Sequence, residues 1–432
     1  MKLLCLSNGH GEDAIAVRIL QELQRQIKVS KLVALPLVGE GRAYTQLGIP
    51  IIGPVQTMPS GGFIYMDGRQ LMRDVRGGLL QLTLAQFKAA RSWANKGGSI
   101  LAVGDIVPLL FGWLSGAQYA FVGTAKSEYY IRDEAGTLPR RTWGQRQEGW
   151  AGSVYLPWER WLMKRSRCKA VFPRDKLTAE TLQRFSIPAF DLGNPMMDGI
   201  LPETPAPIFY DRDIELKETQ RSLIVTLLPG SRPPEAYSNW KQILLAVDGL
   251  SAAFAERSIV FLGAIAPGLS LESLYHILEA QGWHHQMRAS DLALVQDPAA
   301  ATFTRENATL ILTQNAYSDC LLKADLGVAM AGTATEQFVG LGKPAIAIPG
   351  KGPQFTPAFA EAQSRLLGPS LIVVEQPAEV AGVVQVLLRD PDRLQLIAEN
   401  GPRRMGEPGA ASRIAECLIE RLGSLRTADE RR

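Results

Sequence analysis

The chain has 432 residues, too many for one ordinary hydrophobic core, so we expect two α/β domains. Its 46% hydrophobic and 21% charged residues are ordinary for a soluble globular enzyme and exclude a largely disordered chain. A net charge of +3 is too small to indicate nucleic acid, so we predict no nucleic-acid partner. Four scattered cysteines without a CxxC motif, and only four histidines, argue against a disulfide framework and leave little material for a metal site.

The first half of the chain alternates short apolar runs with helical patterns, which predicts a parallel, doubly wound sheet. Polar residues follow Leu6 at once, so the N-terminus does not read as a signal peptide and we expect a cytoplasmic protein. The longest apolar stretch, residues 100–122, contains Asp105 and Pro108 and predicts a buried strand followed by a helix instead of a membrane span. The predicted strands are residues 2–6, 31–37, 49–52 and 100–103, and the predicted helices are residues 14–26 and 79–94.

A cluster of prolines between residues 201 and 207 indicates a linker, after which the alternating pattern restarts. We therefore predict an N-terminal domain over residues 1–200, a linker over 201–220 and a C-terminal domain over 221–408. A crossover helix over residues 409–425 and a frayed tail over 426–432 would follow. The second set of predicted strands covers residues 223–228, 258–262, 309–312, 326–330 and 345–348, with a final amphipathic helix at 411–422.

The first motif of the second half, Pro229-Gly230-Ser231-Arg232, directly follows a predicted strand. Gly230 permits a tight turn and a close approach of the backbone to a ligand. Ser231 and Arg232 can hydrogen-bond a phosphate. The alternative is an ordinary strand–loop–helix turn with a surface arginine.

The second motif lies between a predicted strand and a helix, and small residues open that helix. Free backbone N–H groups and the helix dipole favour a pyrophosphate at such a position, and Glu336 or Gln337 can then reach a ribose hydroxyl. The alternative is a capped helix with Thr333 or Thr335 as the N-cap. The residues predicted to bind such a pyrophosphate-containing ligand are Gly332, Thr333, Ala334, Thr335, Glu336 and Gln337.

The third motif begins with Gly352-Pro353-Gln354-Phe355 and continues onto a predicted helix with Glu361 and Gln363. The amides of Gln354 and Gln363 can bind sugar hydroxyls. The alternative is a solvated helix face.

In order and spacing these motifs resemble lipid-A-disaccharide synthase, in particular its related divergent branch, and more broadly the two-domain glycosyltransferases of the GT-B type. The resemblance also includes Pro157-Trp158-Glu159 and the segment from Gly193 to Asp198. It implies two Rossmann-like doubly wound domains facing a cleft, with the C-terminal helix crossing back to the N-terminal domain. It further implies an inverting transfer from a UDP-sugar co-substrate to a lipid acceptor, with no cofactor and no metal. The acidic pair Asp211 and Asp213 lies by the linker, so we interpret it as surface.

An inverting transferase needs a base that takes a proton from the acceptor hydroxyl. Ligands of open α/β sheets bind beyond the carboxyl ends of the strands, where His10 and Asp105 are expected. We predict His10, Asp105 and Asp13 as catalytic candidates. Glu12 is an alternative base, and in the structural alternative Asp13 only caps the first helix.

Residues 140–169 combine eight Lys or Arg with only two Glu and four Trp. Tryptophan interleaved with cations is typical of an anionic bilayer interface, so we predict a peripheral membrane contact here, on the inner face of a membrane. The alternative is a helix with core tryptophans.

Two other functions remain open at this point. A UDP-sugar 2-epimerase uses the same two-domain plan, and a non-catalytic nucleotide-sugar-binding protein would keep the donor site alone.

Overall fold

The computed structural model describes residues 1–27, 31–56, 79–139, 150–200, 221–286 and 294–423. It divides into two compact units: unit 1 is Met1–Asp198 with Gly406–Arg432, and unit 2 is Gly199–Met405. The predicted linker at 201–220 and the predicted tail lie outside the described residues, as does the acidic pair at 211 and 213.

Unit 1 is built on a parallel sheet with helices on both faces. Its helices are α1 (His10–Gln26), α2 (Arg42–Gln46), α3 (Leu79–Asn95), α4 (Ile106–Ser115), α5 (Pro157–Met163) and α6 (Lys176–Arg184). Its strands are β1 (Lys2–Ser7), β2 (Lys31–Pro36), β3 (Ser99–Gly104), β4 (Tyr119–Gly123), a short antiparallel pair β5 (Arg132–Asp133) and β6 (Gly136–Thr137), and β7 (Cys168–Pro173). The main sheet has the order β2-β1-β3-β4-β7.

Both faces of this sheet are apolar, which explains why its strands are nearly continuous hydrophobic runs. Leu4 and Leu6 of β1 enter a core with α3, α4, α5 and α6, whereas Leu3 and Cys5 face a second core with α1. The two cores follow from the period of two along a strand.

The structure corrects three sequence predictions in unit 1. Residues 49–52 form only an isolated bridge between Ala34 and Ile51. The first helix begins at His10 and not at residue 14, because Gly9 starts the helical hydrogen bonding by accepting from the Asp13 N–H at 2.8 Å. The apolar stretch 100–122 contains a second buried strand, β4, in addition to a strand and a helix.

Unit 2 repeats the plan with a wider sheet. Its strands are β8 (Leu223–Leu228), β9 (Ile259–Ala264), β10 (His284–Gln286), β11 (Ala301–Arg305), β12 (Ala308–Thr313), β13 (Leu326–Ala329), β14 (Ala345–Ala347) and β15 (Leu371–Val373). Its helices are α7 (Glu235–Ala253), α8 (Leu271–Ala280), α9 (Tyr317–Lys323), α10 (Thr333–Gly340), α11 (Pro357–Leu367), α12 (Val380–Leu387) and α13 (Pro391–Met405).

The order of this sheet is β10-β11-β12-β9-β8-β13-β14-β15. Its strands are parallel except that β11 runs antiparallel to both β10 and β12. The loops after β8, β13 and β14 therefore leave the same edge from neighbouring strands. Within the described ranges, no helix is long and apolar enough to cross a membrane.

The last helix, α14 (Ala410–Gly423), returns to unit 1, as the family resemblance implied. It packs beside α1, and Ile414 and Leu418 join the core on that face of the sheet. The Asp198 carboxylate accepts hydrogen bonds from the backbone N–H groups of residues 409, 410 and 411 at 2.6, 3.1 and 2.7 Å. Asp198 thus fixes the start of α14 by pairing amides that the helix itself cannot satisfy.

We expect Asp198→Ala to lower the free energy of unfolding by about 1–2 kcal/mol, the range for losing a helix-capping carboxylate. Asp198→Asn keeps an acceptor oxygen and should lose less. Urea unfolding of the three proteins measures the difference. A loss below about 0.5 kcal/mol in the alanine variant would show that α14 docks without this cap.

Candidate functional site

The carboxyl edge of the unit 2 sheet gathers three loops. Gly230 follows β8 with a φ of 92°, and a Cβ added there would lie 3.2 Å from the carbonyl oxygen of Met330 in the loop after β13. A glycine at this position therefore lets the two loops approach closely. Ser231 is exposed and Arg232 half-buried beside this turn.

Asn239 joins these loops from α7. Its side chain is 3% exposed, and its Nδ2 donates to the carbonyl oxygens of Pro229 at 3.1 Å and Met330 at 3.5 Å. A Cβ added at Gly350, after β14, would lie 3.1 Å from Asn239 Oδ1. One buried amide thus contacts the loops that follow β8, β13 and β14.

Glu235, one turn earlier on α7, holds the third motif. Its carboxylate accepts from the backbone N–H of Phe355 at 2.8 Å and of Gln354 at 3.1 Å. A Cβ at Gly352 would collide with this carboxylate, so the glycine makes room for it. The Gln354 side chain remains exposed at the loop surface.

The helix α10 begins with an open N-terminus. Its N-cap is Gly332 and no side chain caps it, which corrects the alternative that Thr333 or Thr335 is the N-cap. Thr335 is fully buried and donates to the Ala331 carbonyl at 2.6 Å, whereas Thr333 is exposed and Ala334 half-buried. The backbone amides of this first turn have no partner within the helix, and the helix dipole makes them attractive to an anion.

Three side chains predicted to touch the ligand are buried in unit 2, and two of them are held by hydrogen bonds within it. Glu336 and Gln337 are buried in α10, and Gln337 Oε1 accepts from the Tyr317 hydroxyl at 2.7 Å. Gln363 is 2% exposed, and its Nε2 donates to the carbonyls of Ala331 at 3.3 Å and Gly332 at 3.1 Å. Gln363 therefore shapes the loop before α10. Its neighbour on the same helix, Glu361, pairs with Arg365.

A second group of polar residues lies at the carboxyl edge of the unit 1 sheet, after β1, β3 and β4. The Glu12 carboxylate, in the first turn of α1, accepts from the Thr124 hydroxyl at 3.3 Å. Cβ atoms added at Gly9 and Gly104, both at positive φ, would lie 2.9 and 3.4 Å from the Glu12 side chain. Two glycines thus leave the space that Glu12 occupies.

Glu12 and Asp105 share this edge, and burial raises the pKa of both carboxyl groups. Burial raises the pKa of the Glu12 carboxyl above its ordinary value, and the Asp105 charge raises it further. Burial likewise raises the pKa of Asp105, although hydrogen bonds from Val107 N and Asn8 oppose the rise. Asp105 is also the N-cap of α4, since it accepts from Val107 N at 2.8 Å.

The environment of Asp13, predicted as a catalytic candidate, favours a structural role. It is 1% exposed, and its Oδ1 accepts from the Ser7 hydroxyl at 2.5 Å, which in turn accepts from the Tyr44 hydroxyl at 2.7 Å. This chain of hydrogen bonds holds Asp13 inside the core of unit 1. His10 is the first residue of α1, its side chain lies outside the described residues, and its role stays a prediction.

The Pro157-Trp158-Glu159 motif contributes a third carboxylate to the unit 1 edge. Glu159 is buried, pairs with Lys126 at 2.6 Å and accepts from the Leu156 N–H at 2.8 Å. Tyr155 packs its hydroxyl against Gly123 at the end of β4. No sequence pattern predicts the contacts of Lys126, Tyr155, Asn239 or Tyr317, because each contacts a partner far away in the chain.

No family model and no curated protein matches the sequence. Solved structures match over nearly the whole chain. A putative UDP-N-acetylglucosamine 2-epimerase from Listeria monocytogenes has a TM-score of 0.56 at 13% identity, over 98% of this chain and 96% of that one. MurG from Acinetobacter baumannii has a TM-score of 0.56 at 14% identity, over 97% and 99%. A UDP-GlcNAc 2-epimerase from Neisseria meningitidis, bound to UDP-GlcNAc, has a TM-score of 0.53 at 14% identity, over 97% and 100%.

At these identities the likeness shows the fold. The chain has the GT-B type of fold, with two Rossmann-like α/β units, as its sequence predicted. These three structures are epimerases and MurG, so the narrower resemblance to lipid-A-disaccharide synthase stays a prediction.

Proposed function

We propose that this protein is an inverting glycosyltransferase that moves a sugar from a UDP-sugar to a lipid or lipid-linked acceptor, as its resemblance to lipid-A-disaccharide synthase implies. The observation that carries the proposal is the three-loop edge of unit 2, where Asn239 holds the Gly230 turn beside the open N-terminus of α10. An uncapped helix N-terminus next to a glycine turn and an arginine is suited to a pyrophosphate. The similar structure of a UDP-GlcNAc 2-epimerase that is bound to UDP-GlcNAc supports the choice of a UDP-sugar.

In this proposal the donor is held by backbone amides and one cation. The first-turn amides of α10 and the Arg232 guanidinium bind the pyrophosphate oxygens, and Gly230 lets the backbone come close. Gln354 is the exposed amide of the third loop and contacts the sugar. The loops that carry these binding groups are held in place by three buried side chains, those of Glu235, Asn239 and Gln363.

The acceptor is activated at the unit 1 edge. The acceptor hydroxyl oxygen attacks the anomeric carbon of the sugar, its proton passes to the Glu12 carboxylate, and the bond from that carbon to the UDP oxygen breaks. UDP leaves with the electron pair. Glu12 suits this role because burial raises the pKa of its carboxyl, which makes the carboxylate a stronger base.

An enzyme with a lipid acceptor must reach a membrane, and one face of unit 1 is suited to contact a membrane surface. Among residues 140–169, those up to 149 lie outside the described residues, so the predicted patch is described only in part. The described part continues from α5 onto α4 and α3. Trp113 of α4 packs edge-on against Trp161 of α5 with ring centroids 5.1 Å apart, and Phe87 of α3 packs edge-on against Phe111 of α4 at 6.3 Å. The large exposed apolar side chains on these helices are Leu80, Leu84, Leu110, Leu114, Trp158 and Trp161.

Charge supports an anionic surface as the partner of this apolar face. Lys88, Arg91 and Lys164 are exposed on or beside the same helices, and the Arg165 guanidinium lies 3.7 Å over the Trp161 ring. The carboxylate of these helices, Glu159, is buried and already paired. We therefore propose a peripheral protein that lies with this face on the cytoplasmic side of a membrane.

We expect the double variant Leu84→Glu, Leu114→Glu to lose at least about tenfold in binding to vesicles that contain anionic lipid, because it removes two apolar contacts and adds repulsion. Co-sedimentation measures the loss. The matched control is Leu245→Glu with Leu396→Glu, which alters two exposed leucines of unit 2. Equal binding of both double variants to these vesicles would show that this face of unit 1 does not contact the membrane.

The reaction itself is tested by incubating the protein with UDP-sugars and lipid vesicles. Release of UDP together with a glycosylated lipid is the expected result. A changed sugar still attached to UDP would make the chain an epimerase, and UDP-sugar binding without turnover would make it a binding protein.

A further inference from the structure

A cavity of about 270 Å³ lies at the amino edge of the unit 1 sheet, where the parallel strands begin. Three lysines line this lysine cavity: Lys2 at the start of β1, Lys31 at the start of β2, and Lys96 just after α3. The strand β1 runs from Lys2 to Ser7, so the cavity lies about 17 Å from the carboxyl edge that the proposed reaction uses. The lysine cavity is therefore separate from that edge.

The fold brings these three lysines together against their mutual repulsion. Lys2 and Lys31 are direct partners in the pairing of β1 with β2, and like charges at facing positions destabilise a sheet. Lys2 Nζ donates to the Lys96 carbonyl oxygen at 3.4 Å, which keeps the Lys2 ammonium group beside the third lysine. Among the described residues, no Asp or Glu lines the cavity and none forms an ion pair with these lysines.

Trp93 of α3 gives the cavity a fixed wall. Its side chain is buried, and its Nε1 donates to the Ser99 carbonyl oxygen at 3.1 Å. A Cβ added at Gly98 would lie 2.1 Å from this Nε1, so the glycine makes room for the ring. Lys31 Nζ lies 5.8 Å from the centre of the ring, within reach of a cation–π contact. This contact holds the ammonium group at the cavity but supplies no anion to its N–H donors.

We propose that the lysine cavity is a second ligand site, which binds the phosphate or pyrophosphate group of a small soluble compound. Ammonium groups offer only N–H donors, and three of them match the charge of a multiply ionised phosphate. The volume is close to the lower limit of about 300 Å³ for small-molecule sites, so the ligand is small. A bound anion would also relieve the repulsion between Lys2 and Lys31. This inference is independent of the proposed function, because it needs neither a UDP-sugar nor an acceptor.

The experiment is calorimetric titration with pyrophosphate at constant ionic strength, on protein saturated with UDP so that the proposed nucleotide loops do not compete. We expect Lys2→Met with Lys31→Met to lose at least about tenfold in affinity, because two of the three charge-assisted donors are removed. The matched control is Lys176→Met with Lys241→Met, which removes the same net charge at two exposed lysines outside the cavity. The control should keep the affinity of wild type within about twofold.

Thermal unfolding without pyrophosphate tests the repulsion directly. At low salt the Tm of Lys2→Met with Lys31→Met should equal or exceed that of wild type, and the difference should vanish near 1 M NaCl, where the Debye length is about 3 Å. A lower Tm that salt abolishes would show that the lysines pair with carboxylates, and would overturn the inference.

Two further outcomes of the titration would also overturn it. One is equal pyrophosphate affinity in the cavity variant and wild type. The other is binding to phosphatidic acid vesicles that depends on Lys2 and Lys31 when pyrophosphate does not bind, since the phosphate would then belong to a lipid and not to a soluble compound.

Discussion

Glu12→Gln is expected to lower kcat for transfer by about 10²–10⁴-fold, the usual contribution of a positioned general base. The amide keeps the size and the hydrogen bond to Thr124 but cannot accept the acceptor proton. Binding of UDP should be unchanged, because the proposed nucleotide loops belong to unit 2. Steady-state kinetics with UDP binding measured in parallel checks both statements.

The neighbouring carboxylate supplies the control. Asp105→Asn retains a cap for α4 and should lose less activity than Glu12→Gln. It should also move the acid limb of the kcat/KM profile to lower pH, because the Asp105 charge raises the pKa of Glu12 and protonation of Glu12 removes the base. If Asp105→Asn were inactive and Glu12→Gln retained its kcat within threefold, Asp105 would be the base.

The thermal stability of the protein reports on the Glu12 carboxyl independently of its activity. Burial raises the folded-state pKa of Glu12, so its ionised form opposes folding at neutral pH and its protonated form does not. Glu12→Gln should therefore raise Tm at pH 7, and the gain should disappear as pH falls below the unfolded value of about 4.3.

Asn239→Ala is expected to weaken UDP binding by about tenfold and to lower the free energy of unfolding by about 1–3 kcal/mol. It leaves the buried carbonyl oxygens of Pro229 and Met330 without their donor, which accounts for the stability loss. The loops that it joins carry the proposed pyrophosphate contacts, and a displacement of about 1 Å there is enough to weaken them. Calorimetric titration with UDP and urea unfolding measure the two effects.

The matched control for Asn239 is Ser251→Ala on the same helix. Ser251 is also buried, and its hydroxyl donates to the Val247 carbonyl at 2.9 Å within α7. This variant should lose some stability and leave UDP binding intact. Equal UDP affinity in Asn239→Ala and wild type would mean that the three loops keep their geometry without this amide.

Local sequence patterns predicted most of the strands and helices. The strand at 223–228 agrees with β8 to the residue, because five apolar side chains and Thr226 are buried there in one run that Pro229 and Gly230 end. The final helix followed from its apolar periodicity, and its return to unit 1 from the family resemblance. The strand β4 was hidden because it continues an apolar stretch that already held a strand and a helix.

The site was harder to predict because its support is long-range. Asp13 reads as a catalytic carboxylate or a helix cap until Tyr44 and Ser7 are seen to enclose it. Gln363 reads as a sugar-binding amide, yet its partners are carbonyls 31 and 32 residues earlier. Hydrogen bonds of this kind have no sequence period, so only the folded chain shows which polar residue supports a loop and which faces a ligand.

The most direct test of the account is thermal stabilisation of the protein by UDP and UDP-sugars. At a ligand concentration about 100 times the Kd, a site present only in the folded state adds about 2.7 kcal/mol to stability, which is a clear shift in Tm. We predict this shift for wild type and a much smaller one for Arg232→Ala. Absence of a shift with every UDP compound, or an equal shift in the variant, would contradict a nucleotide site at the three-loop edge of unit 2.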